Sequence, residues 1–322
     1  MIVRRSLTEL PALLEELGIR RPFLIASERW SQLELGVEPA GRWTEVPSDR
    51  IGEIVQETND ADSLLAVGGG SAIDLAKAVS AETALPLVSV PTTYSGAEWT
   101  PFYGIRDPDK RMKGGGAGAL LAGIVYDSEL TLDLPRPETV GTAMNALAHC
   151  AEALYVKARN EEGDRWALEG ASLIGRSLPR VAEDGHDREA REELLAGAEA
   201  GGRALALAGL GLGHAMAQAL GGRYGLPHGA LNAICLPPAL RFNEPAARDE
   251  IARFGQAMGT DDPVGRTEEL ARLGGFERLR DLSVPEDELD QVAEATAVRA
   301  GAKANPRPAT PDEIAELLRS VY

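Results

Sequence analysis

Val67-Gly68-Gly69-Gly70-Ser71-Ala72-Ile73-Asp74-Leu75-Ala76-Lys77 places three glycines and a serine between a buried apolar run and a helix-spaced one. Glycines let backbone amides approach phosphate oxygens, and a helix N-terminus adds partial positive charge, so the stretch reads as a pyrophosphate cradle. Three glycines could also form a plain turn that packs a strand on a helix. Ser71, read as the helix N-cap, favours the phosphate site. Outward from this segment, residues 22–26, 63–67 and 86–90 are short continuous apolar runs, and 123–126 is a fourth. Such runs fit parallel strands covered on both faces. Helical spacing over 50–57 and 72–81 between them predicts a βαβ series.

Beyond Pro137 the composition turns to Ala, Leu, Glu and Arg, and 141–159, 164–182 and 188–207 read as long helices. Pro135-Arg136-Pro137 marks the boundary, because paired prolines interrupt helix and central strand alike. The expectation is an α/β dinucleotide-binding domain with a parallel sheet over 1–137 and an all-α catalytic domain over 138–322. The charged stretch 183–191 reads as a solvated helix connection.

The 322-residue chain carries 50 acidic and 33 basic side chains, a net charge of −17. That balance disfavours nucleic acid or an anionic membrane as partner. Cys150 and Cys235 lie in apolar stretches without metal-binding spacing and read as buried, reduced thiols. No stretch reaches the length of a membrane span and no secretory leader is apparent, so a soluble cytoplasmic protein is expected.

Just past the third predicted strand, Thr92-Thr93-Tyr94-Ser95 supplies four hydroxyls where ligands of α/β sheets usually sit. This loop and the glycine loop are expected to converge on one crevice. Three of the four histidines fall in two segments, His149 in the first, His214 and His228 in the second. Asn145 and His149, and likewise His214 and Gln218, are four apart and share a helix face. A lone histidine on an apolar helix is usually a core residue; three together suggest a site.

The glycine loop, the run from Pro91 to Glu98 and the spaced histidines resemble the iron-containing alcohol dehydrogenase family, whose fold is dehydroquinate synthase-like. The resemblance covers nearly the whole chain. It implies NAD or NADP as cofactor, held by Gly68, Gly69, Gly70, Ser71, Asp74, Thr92, Thr93 and Ser95. It also implies Glu28 on the adenosine ribose, which would favour NAD. Family members usually carry an aspartate four residues before the first histidine, where this chain has Asn145. An amide oxygen is a weaker, neutral ligand for a divalent cation, so a metal at His149, His214 and His228 is doubtful. In this respect the chain resembles the maleylacetate reductase branch. Gln218, Asn232 and Pro238 stand where that branch usually shows further histidines, so a related keto acid is also a candidate substrate.

The resemblance thus implies metal-independent hydride transfer, with His228, His214, His149 and Lys113 as catalytic candidates. Tyr94, Asn145, Lys110 and Arg223 are the substrate-binding candidates, and the glycine-rich 114–118 is a candidate flap; the charged cluster Lys110–Lys113 reads alternatively as a solvated hairpin tip. Alternatives are an iron- or zinc-dependent alcohol dehydrogenase, a dehydroquinate synthase-like lyase, and a binding protein without turnover. The expected partners are a small carbonyl substrate and a second copy of the chain in a homodimer.

Overall fold

The computed structural model describes Met1–Tyr322, and the chain divides into two compact units. The first comprises Met1–Thr93 and Ala97–Thr131; the second comprises Tyr94–Gly96 and Leu132–Tyr322. The division therefore falls a few residues before the two prolines, and a three-residue piece of the hydroxyl loop counts with the helical unit.

The first unit runs β1 Ile2–Arg4, α1 Leu10–Glu16, β2 Pro22–Ala26, β3 Gly41–Trp43, α2 Ile51–Glu57, β4 Ser63–Gly68, α3 Gly70–Thr83, β5 Pro86–Pro91, β6 Tyr103–Arg106, β7 Met112–Gly116 and β8 Leu120–Val125. Six strands form one parallel sheet in the order β1-β8-β5-β4-β2-β3. β2 and β4 are buried throughout. Each fully buried Leu, Ile or Val there contributes about 1.5–3 kcal/mol. Helices on both faces are what make these strands continuous apolar runs.

Three differences from the sequence reading concern this unit. β1 and β3 are three-residue edge strands too short to be announced by an apolar run. The segment around the glycine-rich 114–118 is an antiparallel hairpin, β6 against β7, with β7 exposed along its length. Finally, Gly69 is the N-cap of α3, and Ser71 sits one turn-position inside the helix with its side chain exposed.

The second unit holds α4 Arg136–Ala153, α5 Glu161–Glu183, α6 Arg188–Ala208, α7 Leu212–Tyr224, α8 His228–Asn243, α9 Arg248–Ala257, α10 Pro263–Arg272, α11 Leu289–Ala297, α12 Ala300–Ala304 and α13 Pro311–Ser320. The prolines begin α4: Pro135 is its N-cap and Pro137 lies in its first turn. First-turn amides have no intrahelical partner, so proline is tolerated there. α4 is buried along most of its length, including His149 and Asn145. Cys150 and Cys235 are free and buried, and burial pushes both thiols up. Arg191 lies inside α6 at 2% exposure, not in a solvated connection. No single helix is long and apolar enough to cross a membrane.

Candidate active site

In the α/β unit the sheet register brings the sequence-identified cofactor residues together. Ala26 pairs with Val67, and Gly68 pairs with Pro91. The stretches that begin at Glu28, at Gly68 and at Thr92 therefore leave the C-terminal ends of three adjacent strands, the usual ligand edge of such a sheet. Gly68 has φ +151, a backbone conformation that side-chain-bearing residues rarely adopt, and its amide plane turns the chain into α3. A Cβ on Gly69 would lie 2.8 Å from the Thr93 methyl, so the two loops touch through the glycine.

No side chain caps α3, and with the Ala72 N–H bonded to the Gly69 carbonyl the Gly70 and Ser71 amides are left for a ligand. Thr93 Oγ1 is buried beside Gly69 and has no hydrogen-bond partner. Uncapped amides, an orphaned hydroxyl and a glycine-lined turn fit a dinucleotide pyrophosphate. Thr92 is buried and its N–H donates to the Gly68 carbonyl, fixing the loop. Glu28 is exposed in a short turn just past β2.

Asp74 does something else. Its carboxylate pairs with the buried Lys77 ammonium at 2.7 Å and accepts from Gly104 N at 3.1 Å. Lys77 also donates to the carbonyls of Ala97 and Phe102. Together they clamp residues 97–104 onto α3. Lys113 pairs with Asp107 at 3.0 Å on the hairpin, and that bond holds the Asp107 carboxyl below its usual range. Lys110 occupies the hairpin turn with φ +64.

The helical unit assembles the histidines from its own residues. His149 and His214 rings stack at 4.7 Å between centroids, 14° from parallel, and His228 lies 5.7 Å from His214. The carbonyl of Ser95 accepts from Asn145 Nδ2 at 2.8 Å. A carbonyl can only accept, so this bond fixes the Asn145 amide and turns its Oδ1 toward Asn232 Nδ2, 2.6 Å away. Asn232 Nδ2 also lies 3.0 Å from His228 Nε2, and Asn145 Nδ2 lies 3.5 Å from His149 Nε2. Two amides thus form a ladder that donates to two imidazoles, with the Ser95 carbonyl as its end point. Gly96, at φ +71, lets this turn press against the Gly202 backbone of α6 and His149; a Cβ there would lie 3.2 Å from Gly202 Cα.

Behind His214 stands Glu152, at zero exposure. Its carboxylate accepts from Gly211 N at 2.6 Å, His214 N at 3.1 Å and His214 Nδ1 at 2.7 Å. A buried carboxylate persists only with such donors. The pairing places the His214 proton on Nδ1, while Nε2 is buried and bonded to nothing in the chain. His149 is neutral: burial, with His214 and His228 beside it, holds it well below the usual imidazole range.

A divalent cation does not fit this donor set. The ladder already occupies Asn145 Oδ1 and the Nε2 atoms of His149 and His228. Near-parallel rings do not converge on a point, and no three His, Cys, Asp or Glu side chains are disposed to hold a metal. Arg223, one of the substrate candidates, is engaged by Glu288 at 2.6 Å and by Gln291. Tyr94, another, is fully buried, its N–H donating to Thr142 and its hydroxyl bonded by Arg191.

Glu152, Asn232 as a partner of Asn145, and Arg191 were not singled out as site residues from sequence. The signal for Glu152 was present: Asn145, His149 and Glu152 follow i, i+4, i+7 on one helix face. Asn232 stands four after His228, the spacing that links Asn145 to His149.

The sequence model of the family described as iron-containing alcohol dehydrogenase matches residues 1–122, and that of its C-terminal part matches 139–322. A maleylacetate reductase of Pseudomonas knackmussii is 34% identical over 98% of this chain and 93% of its own length. The structure of an iron-containing alcohol dehydrogenase from Corynebacterium glutamicum superposes with a TM-score of 0.92 at 31% identity, covering 100% of this chain and 94% of that one. A maleylacetate reductase from a Rhizobium species superposes with a TM-score of 0.90 at 29% identity, covering 100% and 95%.

Proposed function

This chain belongs to the iron-containing alcohol dehydrogenase family and is an NAD(P)H-dependent reductase; from that premise we propose that it reduces the ketone of maleylacetate or a closely related keto acid, without a metal. The observation that carries the reading is His214 Nε2, buried and unbonded, on a ring whose other nitrogen is anchored to Glu152.

Bound NAD(P)H supplies a hydride to the carbonyl carbon. The glycine loop, the α3 amides and Thr93 would hold its pyrophosphate, and Glu28 would meet the adenosine ribose, where a carboxylate repels a 2′-phosphate and favours NAD. As negative charge develops on the carbonyl oxygen, the protein has to stabilise it and then supply a proton. In its imidazolium form, His214 can donate from Nε2. Glu152 stabilises that form and fixes the ring. His149 stays neutral and stacks on His214, limiting the ring's freedom to turn. His228 presents Nε2 as an acceptor to Asn232, which holds its ring beside His214. The amide ladder does structurally what a cation would otherwise do: it gathers the histidines.

Steady-state turnover of NADH and NADPH with maleylacetate, other keto acids, and simple aldehydes and alcohols tests the reading. The expected result is the highest kcat/KM with maleylacetate or another keto acid, and NADH preferred. Turnover confined to simple alcohols and aldehydes would overturn it.

A further inference from the structure

At the surface of the helical unit lies an open cavity of about 360 Å³ that has no part in the reading above. It is lined by the chain before and at the start of α4 (Leu132, Asp133, Leu134, Arg136, Thr139) and by the turn between α5 and α6 with Arg191. Arg191 is the largest fully buried side chain in the protein, at 2% exposure, and it has no carboxylate partner. All of its bonds go to neutral oxygens: Nε to the Gly185 carbonyl at 2.9 Å, Nη1 to Tyr94 Oη at 3.1 Å and Thr139 Oγ1 at 3.0 Å. Nη2 reaches only the carbonyls of Leu132 and Leu134, both at 3.4 Å, the long limit of hydrogen bonding.

A buried guanidinium without a counter-ion is costly, and such groups are normally paired. Two more bases line the same cavity, Arg136 and His186, both exposed, against the single carboxylate of Asp133. Arg136 spends its Nε on the Leu273 carbonyl, and no ion pair holds its Nη atoms. We propose that this cavity is a binding site for a small oxyanion, a carboxylate or a phosphate, which takes short charge-assisted bonds from Arg191 Nη2 with Arg136 and His186 at the rim. The long Nη2 bonds are the ones such a ligand replaces.

The site's position gives it a line to the catalytic residues. Arg191 holds the Tyr94 hydroxyl, Tyr94 precedes Ser95, and the Ser95 carbonyl orients Asn145, the first rung of the amide ladder. An anion that draws Nη2 into the cavity bears on the residue that anchors this loop.

The test is calorimetric titration of the NADH-saturated enzyme, whose pyrophosphate loop is filled, with orthophosphate and separately with succinate. Arg191 also supports Tyr94 and Thr139, so the exposed rim pair carries the test as Arg136→Ala/His186→Ala. We expect one anion bound per chain in the native enzyme and binding weakened about tenfold or more in the double variant, the scale of losing charge-assisted bonds. Its melting temperature and anion-free kcat are expected to match the native enzyme. Tighter orthophosphate identifies a phosphate ligand and tighter succinate a carboxylate. No heat with either anion, or equal affinity in the double variant, overturns the proposal.

Discussion

Glu152→Gln separates the charge behind His214 from the hydrogen bonds that hold it. The substitution is isosteric, and its outcome follows from the three donors around the carboxylate. If the new NH₂ took the place of Oε2, it would face Gly211 N–H and His214 Nδ1–H, two donors at 2.6 and 2.7 Å. In the Oε1 position it faces one, His214 N–H at 3.1 Å. The amide therefore settles with nitrogen at Oε1, keeps the bond to His214 Nδ1 and leaves one backbone N–H unsatisfied. That costs about 1–3 kcal/mol of stability, a fall of roughly 2–12 °C in melting temperature at about 2–4 °C per kcal/mol. The tautomer of His214 survives while the charge that stabilises its imidazolium is gone. Loss of the general-acid contribution then lowers kcat by about 100-fold or more. The KM for NADH stays unchanged, because the pyrophosphate residues lie in the other unit. Stopped-assay or continuous NADH oxidation at saturating ketone, with melting curves on the same samples, measures both. A kcat within about threefold of the native enzyme, alongside the expected loss of stability, would show that Glu152 is structural and refute its part in proton donation.

Asn145→Asp exchanges the first rung of the ladder for a carboxylate that cannot donate to the Ser95 carbonyl; metal-free kcat should fall by about tenfold or more, the scale of one lost buried bond, while zinc or iron uptake rises by metal analysis. Gly68→Ala forces a side chain into φ +151 with its Cβ 2.8 Å from that of Ala72; strain of about 1–3 kcal/mol should weaken NADH binding by fluorescence titration more than it changes ketone KM. Stability should also fall with acid: the folded-state pKa of His149 is depressed, so its contribution is present above the unfolded value of about 6.5 and is lost as pH drops toward the folded one. Melting curves between neutral and mildly acid pH test this, and His149→Leu should flatten the dependence.

The elements legible in the sequence were those whose burial is symmetric. β2, β4 and β5 are apolar runs because both faces are covered, as is the buried second half of β8, and α5 and α6 span the stretches their composition marks. β1 and β3 were not legible, since three-residue edges are too short to show a period, and of the β6–β7 hairpin only the charged tip at Lys110–Lys113 was, since the exposed Met112–Gly116 strand carries no hydrophobic pattern. The glycine loop and the histidines announce themselves by residue type. Glu152 and Arg191 do not, because charged residues in a helix normally read as a solvated face; only tertiary structure shows one satisfied by His214 and Gly211 and the other buried among carbonyls. Ser71 misled for a related reason: it is a common capping residue, yet the close approach between Gly69 and Thr93 makes glycine the cap.

The central claim is that an amide ladder and a Glu152-anchored histidine reduce the ketone without a cation. The most direct test is NADH oxidation with maleylacetate by enzyme treated with a strong chelator and shown by elemental analysis to carry only trace metal. The account predicts kcat equal to that of untreated enzyme and no gain on adding iron or zinc. Activity lost on chelation and restored by either ion would contradict it.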